Sequence, residues 1–311
     1  MIPSPIKTIL VTGSAGMLGT DLVKALTPHF KVFGLSRHPI EPRPWNEVPL
    51  NLDLSEKDPL RSKLKEIKPD IVIHAAAFTK VDLCEDKNLK DAAKKQNFEV
   101  VENLVEICNE IGAYLIFFST DYVFLGDKEG EYVEDDPIQP INYYGQTKAW
   151  AEEALQKKSN HFMIFRVTWL YGKNGHHFPG AILKQTAQKK ELSVVSDQWG
   201  RPTWTYDVAV SLADLLISRQ NLLDQYNKQV FHIGNSGQVN WSRYARFLLD
   251  RCGYSQVKVR EISSVELNRA AKRPANSVLN LDKAKTCLGI ELRSWQDALT
   301  DFLKEEYTNS K

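Results

Sequence analysis

The chain has 311 residues, 25% of them charged, and a formal net charge of +1. So even a balance offers no electrostatic footprint for nucleic acid, and no apolar run approaches the roughly 18 residues of a membrane span. Four cysteines, Cys84, Cys108, Cys252 and Cys287, lack CxxC or metal-ligand spacing; with no signal-peptide pattern at the amino terminus, they read as reduced thiols of a cytoplasmic protein.

Residues 7–11 form a β-branched run that ends in Thr12-Gly13-Ser14-Ala15-Gly16-Met17-Leu18-Gly19, and a helical pattern follows to about Leu26. Strand, glycine loop and helix in this order make a dinucleotide-phosphate cradle, with the backbone of Gly13, Ala15, Gly16, Met17 and Leu18 as the candidate contacts. The next strand, residues 31–35, ends in Ser36-Arg37 and lacks the acidic residue that binds a ribose 2′-hydroxyl. A guanidinium beside a hydroxyl suits a 2′-phosphate, so NADPH is the expected cofactor, with NADH possible. A proline-rich loop (Pro39, Pro42, Pro44, Pro49) leads to Asp53 and Leu54. Asp53 is placed to accept from an adenine amino group, to cap a helix starting near Ser55, or to do both.

Residues 70–74 form a strand ending in Ala75-Ala76-Ala77, small residues that let a cofactor pass close, and Phe78 to Asp82 line the same edge. Apolar positions from Leu89 to Ile111 recur at helical spacing up to Gly112. The buried strand 114–118 ends in Ser119-Thr120-Asp121-Tyr122, where side chains emerge at the ligand end of a parallel sheet. After Pro137 and Pro140 a helix opens with Tyr144-Gly145-Gln146-Thr147-Lys148. At i, i+4 the phenol and the ammonium share one face, and a nearby ammonium favours phenolate. With Thr120 to hold a substrate oxygen, Thr120, Tyr144 and Lys148 form a candidate proton-transfer site for carbonyl chemistry. The same Tyr-x-x-x-Lys spacing at Tyr254/Lys258 and Tyr307/Lys311 reads as coincidence, because neither has a strand-end Ser-Thr before it. His176-His177 reads as a loop pair rather than a metal site, since zinc needs three or four ligands.

Strands alternate with helices through the first half, which predicts an α/β fold: a Rossmann-like, doubly wound parallel sheet. Past Gly172 the rhythm changes towards a smaller, mainly helical carboxyl-terminal lobe. Residues 1–172 are expected to bind dinucleotide, with 204–234 returning to that domain. Residues 173–203 and 235–311 are expected to form the substrate lobe. Helices around Leu104 and Trp150 leave a homodimer open.

Together these stretches resemble the extended short-chain dehydrogenase/reductase superfamily and, within it, the dTDP-4-dehydrorhamnose reductase family. The likeness rests on His74-Ala75-Ala76-Ala77-Phe78-Thr79-Lys80-Val81-Asp82, Ser119-Thr120-Asp121-Tyr122-Val123-Phe124 and Arg166-Val167-Thr168-Trp169-Leu170-Tyr171-Gly172. It extends through Asp197-Gln198-Trp199-Gly200-Arg201-Pro202-Thr203 and Arg273-Pro274-Ala275-Asn276-Ser277-Val278. The resemblance implies NADPH-dependent reduction of a C4 ketone on a nucleotide-linked sugar, in rhamnose and polysaccharide synthesis. It implies Tyr144 as proton donor, Lys148 as the group that lowers its pKa and binds the nicotinamide ribose, and Thr79, Val81, Tyr122 and Trp169 as the sugar and nucleotide pocket. His74 departs from a frequent Asn, and Ala151 from a frequent Gly. Tyr122 after Asp121 argues against a 4,6-dehydratase, which carries Glu there, and Ser36-Arg37 argues against a 4-epimerase. A different class stays open: the NADP-binding regulatory β-subunit of methionine adenosyltransferase has a similar sequence, and fold likeness alone does not separate a partner subunit from an enzyme.

Overall fold

A computed structural model describes residues 5–37, 47–186 and 188–307; the prolines at 39, 42 and 44 and Lys311 of the third Tyr-Lys pair lie outside them. Seven strands form one parallel sheet. Six of them are β1 (Thr8–Thr12), β2 (Lys31–Ser36), β3 (Glu47–Asn51), β4 (Ile71–His74), β5 (Tyr114–Thr120) and β6 (Phe162–Val167). The spatial order is β3-β2-β1-β4-β5-β6, with the strand Gln229–Ile233 completing the far edge beside β6. Pro49, expected in the loop, lies within β3; as β3 is the other edge strand, its missing N–H breaks no internal ladder.

The chain reverses its winding direction between β1 and β4, and the crevice at their carboxyl ends is where open α/β sheets bind ligands. Alternate residues of each strand bury on opposite faces. Ile9, Val11, Ile71, Ile73 and Phe165 pack with α1 (Met17–Leu26) and α7 (Thr205–Ser218). Leu10, Val72, Leu115 and Ile164 pack with α2 (Lys57–Ile67), α4 (Val100–Ile111) and α5 (Tyr143–Lys158). Strands buried on both faces read as the continuous apolar runs seen in the sequence. The segment expected as one helix from Leu89 is α3 (Lys90–Lys94) running through a π-turn, Lys95–Glu99, into α4, and it ends at Gly112 with φ 73°.

A second core holds the carboxyl-terminal lobe, built on α6 (Phe178–Thr186), the helices Trp241–Arg251 and Trp295–Tyr307, and the parallel pair Glu191–Val195 with Lys258–Ile262. His177 Nδ1 accepts the Gly180 amide at 3.2 Å, so this histidine caps the start of α6. Tyr254 follows the end of a helix, and its Lys258 partner opens a strand; that pair shares no helical face.

Candidate active site

The glycine loop meets the requirements of a phosphate cradle. Gly13 has φ 68°, and a Cβ there would stand 2.8 Å from the backbone of Ala76. The loop therefore presses against the small residues after β4. A Cβ on Gly19 would lie 2.0 Å from the Gly13 carbonyl, so α1 starts hard against the loop. Gly16 is the N-cap of α1 and no side chain caps it, which leaves the first-turn N–H groups for an anion. The buried hydroxyls of Ser14 and Ser36 have no protein partner. Beside Ser36, at the end of β2, Arg37 is exposed and acts electrostatically on Asp53. These features fit a dinucleotide with a 2′-phosphate: Gly13, Ala15, Gly16, Met17 and Leu18 would border its phosphates, and Ser36 and Arg37 would border the ribose end. Asp53 Oδ1 accepts the Ser55 amide at 2.9 Å, a bond that holds its carboxyl below the usual range, whereas α2 begins later, at Lys57. It closes the turn before the helix rather than capping it. Leu54 beside it is buried in the sheet core, and Ala75, Ala76 and Ala77 lie half-buried along the β4 end.

The proton-transfer residues come together where α5 meets β5. Asn142 starts the helix, its Oδ1 accepting the Gly145 amide at 2.8 Å, and the Tyr143 amide donates to Glu85 at 2.7 Å. A Cβ on Gly145 would sit 2.1 Å from the Tyr122 carbonyl. Only glycine lets the first turn close on the strand-end loop, and this places the Tyr144 phenol beside the Thr120 hydroxyl. The phenol is raised above its usual pKa, chiefly by burial and then by the charge of Asp121, with Thr120 opposing. It is a protonated phenol at neutral pH.

Lys148 makes contacts on β5 that the helical spacing did not indicate. Its ammonium donates to the Phe118 carbonyl at 2.7 Å and lies 3.9 Å above the Phe117 ring centre. Burial pushes Lys148 down to about 7, with Glu152 opposing.

Four residues that sequence reasoning passed over support this arrangement. Buried Asp121 accepts from Thr120 at 3.0 Å and Thr168 at 2.9 Å, lies beside Ser277, and is pushed up to about 6 by burial. Asn97, in the π-turn, bonds both backbone groups of Phe78 and donates to Thr147 at 3.1 Å, whose hydroxyl in turn bonds the Tyr144 carbonyl. Glu152 and Arg166, both fully buried, form a bidentate pair at 2.7–3.2 Å. A charge inside the apolar run Phe162–Val167, and another one turn after Lys148 among alanines, were the signals available: such ions are buried only when paired.

On the substrate side, Thr79 is exposed just past β4 and Val81 opens a 3₁₀ turn, Val81–Glu85. Tyr122 stands edge-on to Tyr144 with ring centres 6.0 Å apart. Asp82 holds Arg273 in a fork at 2.6 and 2.8 Å, and Arg273 reaches Tyr122. Trp169, the fourth residue expected in the pocket, packs against the core of the carboxyl-terminal lobe. With φ 44°, it stacks face to face on Trp241 at 3.5 Å, and its ring takes the space a Cβ on Gly200 would need. Residues 272–278 strap the outer edge. The Lys272 carbonyl accepts from Asn142 at 2.8 Å, the Asn276 amide donates to Gly126 at 2.9 Å, and the Trp199 amide donates to Ala275 at 2.8 Å.

A protein-family model described as the RmlD substrate binding domain matches residues 7–308. A dTDP-4-dehydrorhamnose reductase of Burkholderia thailandensis is 32% identical over 300 residues, spanning 94% of this chain and 96% of that protein. One of Streptomyces griseus is 35% identical over 304 residues, 97% of this chain and 94% of that protein. Among solved structures, the dTDP-4-dehydrorhamnose reductase of Bacillus anthracis in complex with NADP is similar at a TM-score of 0.84 and 29% identity, covering 96% of this chain and 99% of that one. By family model, by near full-length identity and by fold, the chain belongs to the dTDP-4-dehydrorhamnose reductase family.

Proposed function

We infer that this protein reduces the C4 ketone of dTDP-4-dehydro-L-rhamnose to dTDP-L-rhamnose with NADPH. One observation carries the reading: a half-buried, protonated Tyr144 phenol beside the Thr120 hydroxyl, at the carboxyl edge of a sheet whose first loop opens on a helix start that no side chain caps. A bound NADPH supplies the hydride that reaches C4. The chain supplies the proton. Tyr144 donates it to the C4 oxygen as that oxygen gains charge, and Thr120 holds the oxygen in line. Lys148, a cation that titrates near neutrality, steadies the phenolate left behind and holds the ribose next to the nicotinamide. Ser36 and Arg37 read the 2′-phosphate, and Thr79, Val81, Tyr122 and Trp169 border the sugar and nucleotide.

In this reading residues 1–172 with 204–234 bind the cofactor, and residues 173–203 with 235–311 the substrate. No described helix is long and apolar enough to cross a membrane, and we place the reaction in the cytoplasm. A homodimer through α4 and α5 is supported by the aromatic set Tyr143, Phe98 and Trp150, which is only partly covered within one chain. The deciding experiment mixes the protein with NADPH and dTDP-4-dehydrorhamnose and follows NADPH absorbance with product analysis. dTDP-rhamnose formed at the rate of NADPH loss is the expected result. Cofactor binding without turnover would favour a regulatory subunit.

A further inference from the structure

We propose that Glu152 is a positioning residue for this reaction: its buried carboxylate, fixed by Ser119 and Arg166, holds Lys148 as an ammonium and locks α5 to the end of β5. The proposal rests on the reading of Lys148 as part of the proton-transfer set. Glu152 lies one helical turn beyond Lys148, on the same face of α5. It is 0% exposed, and Lys148 is 2% exposed. Ser119 donates its hydroxyl to Glu152, while the carbonyl of the preceding residue, Phe118, accepts from Lys148. Two adjacent residues of β5 thus grip two successive turns of α5. Thr120, the next residue of the strand, meets Tyr144 on the turn before.

Arg166 closes the carboxylate from β6 through Nε at 3.0 Å and Nη2 at 2.7 Å. Its Nη1 donates to the Glu134 carbonyl at 3.0 Å and faces His232 Nε2 at 3.4 Å, and the Glu134 carboxylate accepts the His232 amide at 2.9 Å. The surroundings of Lys148 are the Phe118 carbonyl and Phe117 ring on β5, Glu152 on α5, and His74 on β4. Burial keeps His74 neutral, so Glu152 is the one charge in this set that favours the ammonium. A buried ion pair is seldom more stable than an apolar pair of the same volume. A brace between β6 and α5 needs no ions at all. What the ions add is a fixed negative charge one turn from Lys148.

The test is the pH profile of kcat/KM for ketone reduction. As pH rises and Lys148 loses its proton, wild-type activity falls. Glu152→Gln/Arg166→Gln removes both charges without stranding either ion. Its alkaline limb is expected lower by up to about one pH unit, since losing the carboxylate one turn away lowers the Lys148 pKa and losing the more distant Arg166 cation returns only part of that shift. NADPH titration and thermal unfolding report whether the fold is intact. If the double variant does not fold, Glu152→Asp decides. It keeps Arg166 paired and withdraws the carboxylate by one methylene, so its limb moves part of the way down. A limb at the wild-type position in the folded double variant, or in Glu152→Asp when that is the variant used, overturns the proposal while leaving Lys148 its role. A wild type with no alkaline limb, together with full turnover in Lys148→Met, overturns the proton-transfer reading and this proposal with it.

Discussion

The proposed reaction divides between two side chains, one for the proton and one for the cofactor, and each can be removed alone. Tyr144→Phe deletes one hydroxyl from a ring held edge-on by Tyr122, so fold and NADPH binding persist. General acid catalysis is worth about 10²–10⁴-fold, and turnover should drop by that factor. Tyr254→Phe, at an exposed position beyond a helix end, should leave the rate unchanged in the same assay. Arg37→Ala removes an exposed guanidinium just past the end of β2, where the 2′-phosphate is proposed to lie. A charge-assisted bond is worth about 1.5–3 kcal/mol, or roughly ten- to hundredfold in Kd. Fluorescence titrations should therefore show NADPH weakened by that factor and NADH unaffected. Equal weakening of both would mean that Arg37 only supports the loop.

At the scale of elements, the catalytic helix is placed by a contact that has no side chain. Gly145→Ala would drive a methyl to within 2.1 Å of the Tyr122 carbonyl, and overpacking costs about 1–3 kcal/mol. Tm should fall, and kcat should fall further than stability alone explains, because the shift separates Tyr144 from Thr120. Thermal unfolding and turnover on one preparation check this. Strand–loop–helix order, the parallel sheet and the Tyr144 helix were legible in the sequence, since apolar runs and glycine spacing report burial and close approach directly. Asn97 was not: a π-turn inside a periodic helix leaves no break in the apolar pattern. The direction of Lys148 was not legible either. An i, i+4 spacing puts two residues on one face but does not say that a strand carbonyl will take the ammonium. The stack of Trp169 on Trp241 was hidden for a related reason, because it joins residues more than seventy positions apart in the chain.

Across the whole molecule, buried groups that resist charging make stability depend on pH. His74 is 1% exposed, and its pKa is lowered from 6.5 to about 3, mainly by burial. Since the unfolded chain takes up the proton first, this contribution is complete above about 6.5 and is lost as pH falls towards 3. At about 1.4 kcal/mol per pH unit, wild type should lose roughly 2 kcal/mol between pH 6.5 and 5 from this residue alone. His74→Asn should unfold with a correspondingly flatter dependence, as read by denaturant titration at several pH values. The strap at residues 272–278 has a different kind of consequence. A nascent chain that has cleared the ribosome as far as Ile233 already holds all seven strands of the sheet. It still lacks the Lys272 carbonyl that fixes Asn142, the residue that starts the catalytic helix. Synthesis therefore delivers every strand of the sheet before it delivers the segment that fixes the start of the Tyr144 helix, and the same late stretch of polypeptide brings Ala284, Leu288 and Ile290 to finish one face of the sheet core.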